Sequence, residues 1–183
     1  MTTNQKLPEV LTEKELQLIL KGSKNPKHRL AFALGFYEAL RISEVACLLP
    51  EHIQPAQKIL MIKGSDIAKG KKGAKRGKDR NIPIAPEVLK GLKHLPVGSL
   101  TAKDNGIRAL QIAFKKALSK TLGRDDLSFH SLRHSGATFY LNIKKVGIRQ
   151  LQQLLGHSRL DTTQIYTHVN PDDLKQVFNE LWD

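Results

Sequence analysis

A chain of 183 residues is long enough for one good-sized hydrophobic core or two small ones, and 40% hydrophobic with 26% charged residues excludes a disordered polymer. The 30 Lys and Arg against 17 Asp and Glu give a net charge of +13 and a pI of about 9.9, a field that favours polyanions, of which nucleic acid is the commonest inside a cell. No apolar run approaches the roughly 20 residues of a membrane helix, and the single cysteine, Cys47, has no partner for an internal disulfide.

The first predicted helix lies in "LTEKELQLIL", where Thr12 and Glu15 have capping-box spacing ahead of the stripe Leu16, Ile19 and Leu20. "NPKHRLAFALGFYEALR" follows, with Asn25 as N-cap, Pro26 at the first helical position and a nearly continuous apolar body that predicts a buried helix. In "ISEVACLLP" Ser43 is the expected next cap and Pro50 the stop, which puts Arg41 at the junction of two helices. The period then becomes strand-like. "KILMIKG" and "RNIPIAP" read as the two arms of a β-hairpin over residues 58–84, joined by the Gly- and Lys-rich "SDIAKGKKGAKRGKD". Between Lys63 and Arg80 this hairpin carries Lys63, Lys69, Lys71, Lys72, Lys75, Arg76, Lys78 and Arg80 against only Asp66 and Asp79. Of these, Lys63, Lys69, Lys71, Lys72, Arg76, Lys78 and Arg80 form the expected DNA-binding stretch, although a charge run standing alone is also what a solvated loop looks like.

Helices resume in "PEVLKGLKHL" and in "NGIRALQIAFKKALSKTLG", whose Ile107, Leu110, Phe114 and Leu118 share one face before Gly123 ends it. "SLRHSGATFYLNIKKVG" and "IRQLQQLLG" close on Gly147 and Gly156, read here as left-handed C-terminal residues. Asp161 and Gln164 have capping-box spacing and place Tyr166 on a short helix. The final "NPDDLKQVFNELWD" sets Leu174, Val177, Phe178 and Leu181 on one face. The expected fold class is mainly α with a small antiparallel β-hairpin insertion. The expected organisation is a single domain, with residues 1–10 as a tail or linker. The first ten residues lack the basic-then-apolar pattern of a secretory signal, and no basic amphipathic helix with a broad apolar face is present, so a cytoplasmic, nucleoid-associated location without membrane contact is expected.

Arg41, the His130/Arg133 pair in "HSLRH" and the stretch "LGHSRLDTTQIYTHV" each have an ordinary structural explanation when taken alone. An arginine can cap a helix, a His-x-x-Arg pair shares a helical face by chance, and a tyrosine is more often core than nucleophile. No Cys/His cluster has zinc spacing and no carboxylate set suggests another metal, so neither metal nor cofactor is expected.

The order of these pieces is more telling than any one of them. "ALRISEVACL", a basic hairpin closing in "NIPI", "FHSLRHSGAT" and "LQQLLGHSRLDTTQIYTHV" together closely resemble the tyrosine recombinase (phage-integrase) family, from "LPEVLTEKEL" to the last helix. The resemblance implies the catalytic-domain fold of that family. It matches Arg41 to the first catalytic arginine, His130 and Arg133 to the His-x-x-Arg pair, His157 to the histidine of the "LGH" box, and Tyr166 to the nucleophile. The family's hairpin lysine stands eight positions before the proline that ends the next strand, which is Lys75 counted back from Pro83. Because "AKRGKDRNIP" lacks the usual first glycine and the tip is lengthened, Lys63 and Lys78 remain alternatives. His134 and His168 also fit the family's local pattern and are read as supporting residues.

These residue types suit phosphoryl transfer. Two guanidinium groups can meet the charge that gathers on the non-bridging oxygens of a five-coordinate phosphorus. A tyrosine with an ordinary pKa of about 10 needs a base, for which His130 is the candidate, and a positive site. The leaving 5′ oxygen needs an acid, for which Lys75 is the candidate, while His157 hydrogen-bonds the phosphate. The resemblance further implies double-stranded DNA as partner and a homo-oligomer, a synaptic tetramer, on DNA. It implies a terminal helix over residues 170–183 that docks on a neighbour, with packing on its own domain in the absence of DNA as the alternative, and an N-terminal clamp domain absent from this chain. Nicking and resealing in the manner of a type IB topoisomerase, and a non-enzymatic DNA-binding module of the same fold, are the competing readings.

Overall fold

The structure is a computed structural model that describes residues 9–64, 79–94 and 106–156. Helix α1 (Glu13–Gly22) opens with the expected capping box: the Glu15 amide donates to the Thr12 hydroxyl at 3.2 Å and the Thr12 amide donates to the Glu15 carboxylate at 2.7 Å. Leu16 and Ile19 are buried below it. Helix α2 (Pro26–Tyr37) begins where Asn25 accepts from the Lys27 amide at 2.9 Å, and every residue from 30 to 40 is buried. A helix apolar on all sides must sit at the centre of a bundle, and α2 does so. Around it pack α1, α4 (Pro86–Gly91), α5 (Gly106–Leu122) and α6 (Phe129–Thr138). Phe32, Phe114 and Phe129 meet edge to face in the middle, with ring centroids 5.4 to 6.1 Å apart.

Helix α3 (Ile42–Ala46) corrects one expectation. Arg41, not Ser43, occupies the N-cap position, and its amide donates to the Glu44 carboxylate at 2.8 Å. Glu44 stands at the third helical position, where a side-chain acceptor reaches back to the cap, so the carboxylate outcompetes the hydroxyl. A 3₁₀ turn over Pro50–His52 then leads into a three-stranded antiparallel sheet in the order β1 (Ile53–Gln54), β2 (Ile59–Ile62) and β3 (Arg80–Pro83). The hairpin arms read from the sequence are β2 and β3, in the register Leu60 to Ile82 and Ile62 to Arg80. Leu60, Ile62 and Ile82 are buried on one face, as the two-residue period of a strand requires. The two-residue strand β1 was not anticipated. The hairpin tip, residues 65–78, lies outside the described residues.

After α4 a 3₁₀ turn runs over Leu92–His94. Helix α5 buries Leu110, Phe114 and Leu118 and ends at Gly123, whose φ of 65° is left-handed. Helix α6 crosses α2 at Gly136, where an added Cβ would lie 2.0 Å from the Phe36 carbonyl oxygen. Only a glycine allows that approach. The chain widens into a π-type turn over Phe139–Ile143 before α7 (Ile148–Leu155). The reading of Gly147 is corrected here. It is the N-cap of α7 with φ −61°, its amide donates to Gln150 at 2.9 Å, and the left-handed residue of that connection is Lys145. Gly156 does take the left-handed conformation, φ 63°, at the end of α7. The expected helices around Tyr166 and over residues 170–183 lie outside the described residues. The fold is the mainly α class expected, with its small antiparallel sheet. No described helix is long and apolar enough to cross a membrane.

Candidate active site

Arg41 and Arg133, 92 positions apart in the sequence, converge on the carboxylate of Glu44. Arg41 reaches it from the α2–α3 junction, Nη1 donating to Oε1 at 3.1 Å, and keeps 36% of its side chain exposed. Arg133 enters from α6 with its side chain only 2% exposed and Nη1 3.8 Å from Oε2. Two backbone carbonyls hold it, since Nη1 donates to the Ala39 oxygen and Nη2 to the Leu155 oxygen, both at 2.7 Å. Ala39 turns its carbonyl towards Arg133 from a left-handed backbone, φ 47°. That conformation costs a residue with a Cβ roughly 1–2 kcal/mol, and here the surrounding contacts hold it.

Glu44 is 3% exposed. Burial alone would raise its pKa, but hydrogen bonds and charge from Arg80 and Arg41 outweigh burial and hold it below the ordinary carboxylate value. It is therefore ionised. Three guanidinium groups share it, so among the described residues the cluster carries an excess of positive charge, the condition a phosphate site requires.

Arg80 requires a correction. The sequence assigns it to the basic DNA-facing stretch, but its guanidinium turns inwards, donating to both oxygens of Glu44 at 2.9 and 3.1 Å and through Nε to the Leu154 carbonyl at 3.0 Å. Its side chain is 8% exposed. A buried carboxylate demands such a partner, and a planar fork from the neighbouring strand supplies it. Lys63, at the other arm of the hairpin, is exposed. Lys69, Lys71, Lys72, Lys75, Arg76 and Lys78 lie outside the described residues, as do His157, Tyr166 and His168.

His130 stands at the surface on the first turn of α6, three residues before Arg133. Its pKa is lowered, first by partial desolvation and then by the charges of Arg133 and Arg41. Both arginines therefore lie close enough to favour the neutral, proton-accepting ring. The His134 ring packs edge-on against it with centroids 4.5 Å apart. Desolvation, His130 and Arg133 push His134 down to about 4.

Three of the catalytic candidates, Arg41, His130 and Arg133, are thus brought together within the described residues. Sequence reasoning passed over Glu44, whose signal was its place three residues after Arg41 at a helix start. It also misjudged the direction of Arg80, for which a strand of four residues offers no local clue.

The chain matches the model of the phage integrase family over residues 9–173. It is 32% identical over 188 residues to the tyrosine recombinase XerA of Pyrococcus horikoshii, a match covering 95% of this chain and 61% of that protein. The chain thus spans about three fifths of that relative's length. Its fold superimposes on a crystal structure of XerA recombinase with a TM-score of 0.76 at 23% identity, covering 97% of this chain and 66% of that one. It superimposes equally well, with a TM-score of 0.76 at 18% identity, on the Tn1549 transposon integrase in complex with transposon right-end DNA, covering 100% of this chain and 69% of the integrase. With a family match across most of its length and a fold shared with two such proteins, this chain belongs to the phage integrase family.

Proposed function

We propose that this chain is the catalytic part of a site-specific DNA recombinase that cuts and rejoins strands through a 3′-phosphotyrosine. The observation that carries the proposal is the convergence of Arg41 and Arg133 on one buried carboxylate, with His130 in the field of both. In this scheme the Tyr166 hydroxyl attacks the scissile phosphorus and gives its proton to neutral His130. The bond to the 5′ oxygen breaks, and that oxygen takes a proton from Lys75, or from Lys63 or Lys78 should one of them take its place. The products are a 3′-phosphotyrosine and a free 5′ hydroxyl. Arg41 and Arg133 meet the non-bridging oxygens, and His157 donates a hydrogen bond to the same phosphate. The ester retains the bond energy, so a 5′ hydroxyl from another strand can reverse the step and exchange partners without metal or ATP.

Arg41 is open to a phosphate, whereas Arg133 has to be uncovered before one can reach it. Competence therefore requires a rearrangement around Arg133 when DNA binds. The basic hairpin tracks double-stranded DNA through phosphate contacts, which makes binding steeply salt-dependent. Residues 170–183 dock on a neighbouring copy as synaptic oligomers form. The curated name of the XerA relative and the DNA in the Tn1549 integrase structure support this reading.

The test is a duplex nicked near the cleavage point, incubated in EDTA with the wild type and with Tyr166→Phe. A covalent adduct on a denaturing gel from the wild type alone is the expected result. An adduct from both proteins removes Tyr166 as nucleophile, and DNA binding with no adduct from either supports the binding-module reading. Relaxation of a supercoiled plasmid without exchange between two sites would favour the nick-and-reseal alternative.

A further inference from the structure

Arg80 takes no part in that scheme, yet its guanidinium joins three segments that carry the site. It leaves β3 at the base of the hairpin, grips both oxygens of Glu44 beside Arg41, and holds the Leu154 carbonyl at the end of α7. The chain passes closely over it at Gly156, where an added Cβ would lie 3.0 Å from Arg80 Nη1. His157 is the next residue.

The geometry points to Arg80 as a positioning residue: by occupying both oxygens of Glu44 it leaves Arg41 turned outwards for the scissile phosphate, and it fixes the end of α7. This rests on the recombinase reading above. The physical reason is the demand of a buried carboxylate for compensating charge. With Arg80 in place, Glu44 takes a single side-chain hydrogen bond from Arg41, and that guanidinium stays partly exposed. Without Arg80 the nearest cations among the described residues are Arg41 and Arg133, and Arg133 is committed to two carbonyls. Arg41 is then drawn inwards to satisfy Glu44. Lysine cannot substitute, because one ammonium group does not span two carboxylate oxygens and a carbonyl in the plane that the guanidinium fork provides.

The experiment compares wild type, Arg80→Met and Arg80→Lys, each checked for folding by circular dichroism and thermal unfolding. The nicked duplex carries either a normal scissile phosphodiester or a methylphosphonate, which lacks the negative charge that Arg41 would meet. Adduct formation by both variants is expected to fall about 100-fold on the diester, the scale of a small misplacement of a reacting group, and to change little on the methylphosphonate. Equal losses on both substrates, or none on the diester, overturn the inference. A second readout does not depend on activity. The rate at which phenylglyoxal modifies Arg41, followed by peptide mass spectrometry, should drop several-fold in both variants, and an unchanged rate overturns the inference. A wild type that forms no adduct counts against the recombinase reading instead, while Arg41 reactivity still decides the positioning role. If Arg80→Met does not fold, Arg80→Lys carries both measurements.

Discussion

Glu38 lies three residues before Arg41, is 1% exposed, and accepts a hydrogen bond from the Ala85 amide at 2.7 Å. Burial, with a smaller contribution from the charge of Glu87 and against the pull of that hydrogen bond, lifts its pKa from 4.5 to about 7. A carboxyl raised in this way favours the folded state fully below pH 4.5, where both states are protonated. That contribution is lost as the pH rises through about 7, because the unfolded chain ionises freely and the folded one does not. At about 1.4 kcal/mol per pH unit, the interval corresponds to about 3 kcal/mol. Glu38→Gln keeps an acceptor for Ala85 and cannot ionise. It should match the wild type at pH 4.5 and exceed it at pH 8 by about 3 kcal/mol, or roughly 6–12 °C in Tm for a chain of this size. Urea unfolding and differential scanning calorimetry at both pH values check this. The same increment at both pH values, or a variant less stable at pH 8, would refute the assignment of a buried carboxyl that resists ionisation.

Gly136→Ala drives a methyl group into the Phe36 carbonyl, so it should destabilise the chain by at least about 3 kcal/mol, and an unchanged denaturant midpoint would show that α2 and α6 do not cross there. Arg133→Met leaves the Ala39 and Leu155 carbonyls without their donor and should cost about 3–5 kcal/mol, the usual penalty for breaking a buried charged network, read by thermal unfolding. Ring-proton NMR titration should find His130 below its ordinary 6.5 and His134 near 4, with His130 moving upwards in Arg41→Met as a neighbouring positive charge is lost. A His130 pKa indifferent to Arg41 would mean that the two are not neighbours.

What the sequence by itself determined is what short-range chemistry controls. Thr12 with Glu15, Asn25 with Pro26, and Gly123 and Gly156 mark helix ends because each satisfies or releases backbone groups within a few residues. The nearly continuous apolar run before Arg41, interrupted by Glu38, announced a central helix because no other place in a fold accepts one. The order of motifs singled out Arg41, His130 and Arg133 as candidates without coordinates. Tertiary structure decided the rest. A strand as short as β1 has too few residues to show a period. Ala39 bears no mark of its left-handed backbone, which is sustained by packing and by Arg133 from 94 residues away. Arg80 read as one more cation on a basic hairpin. Its partner Glu44, 36 residues earlier, becomes its neighbour only when β3 folds beside α3, and a buried carboxylate then outcompetes solvent for that guanidinium.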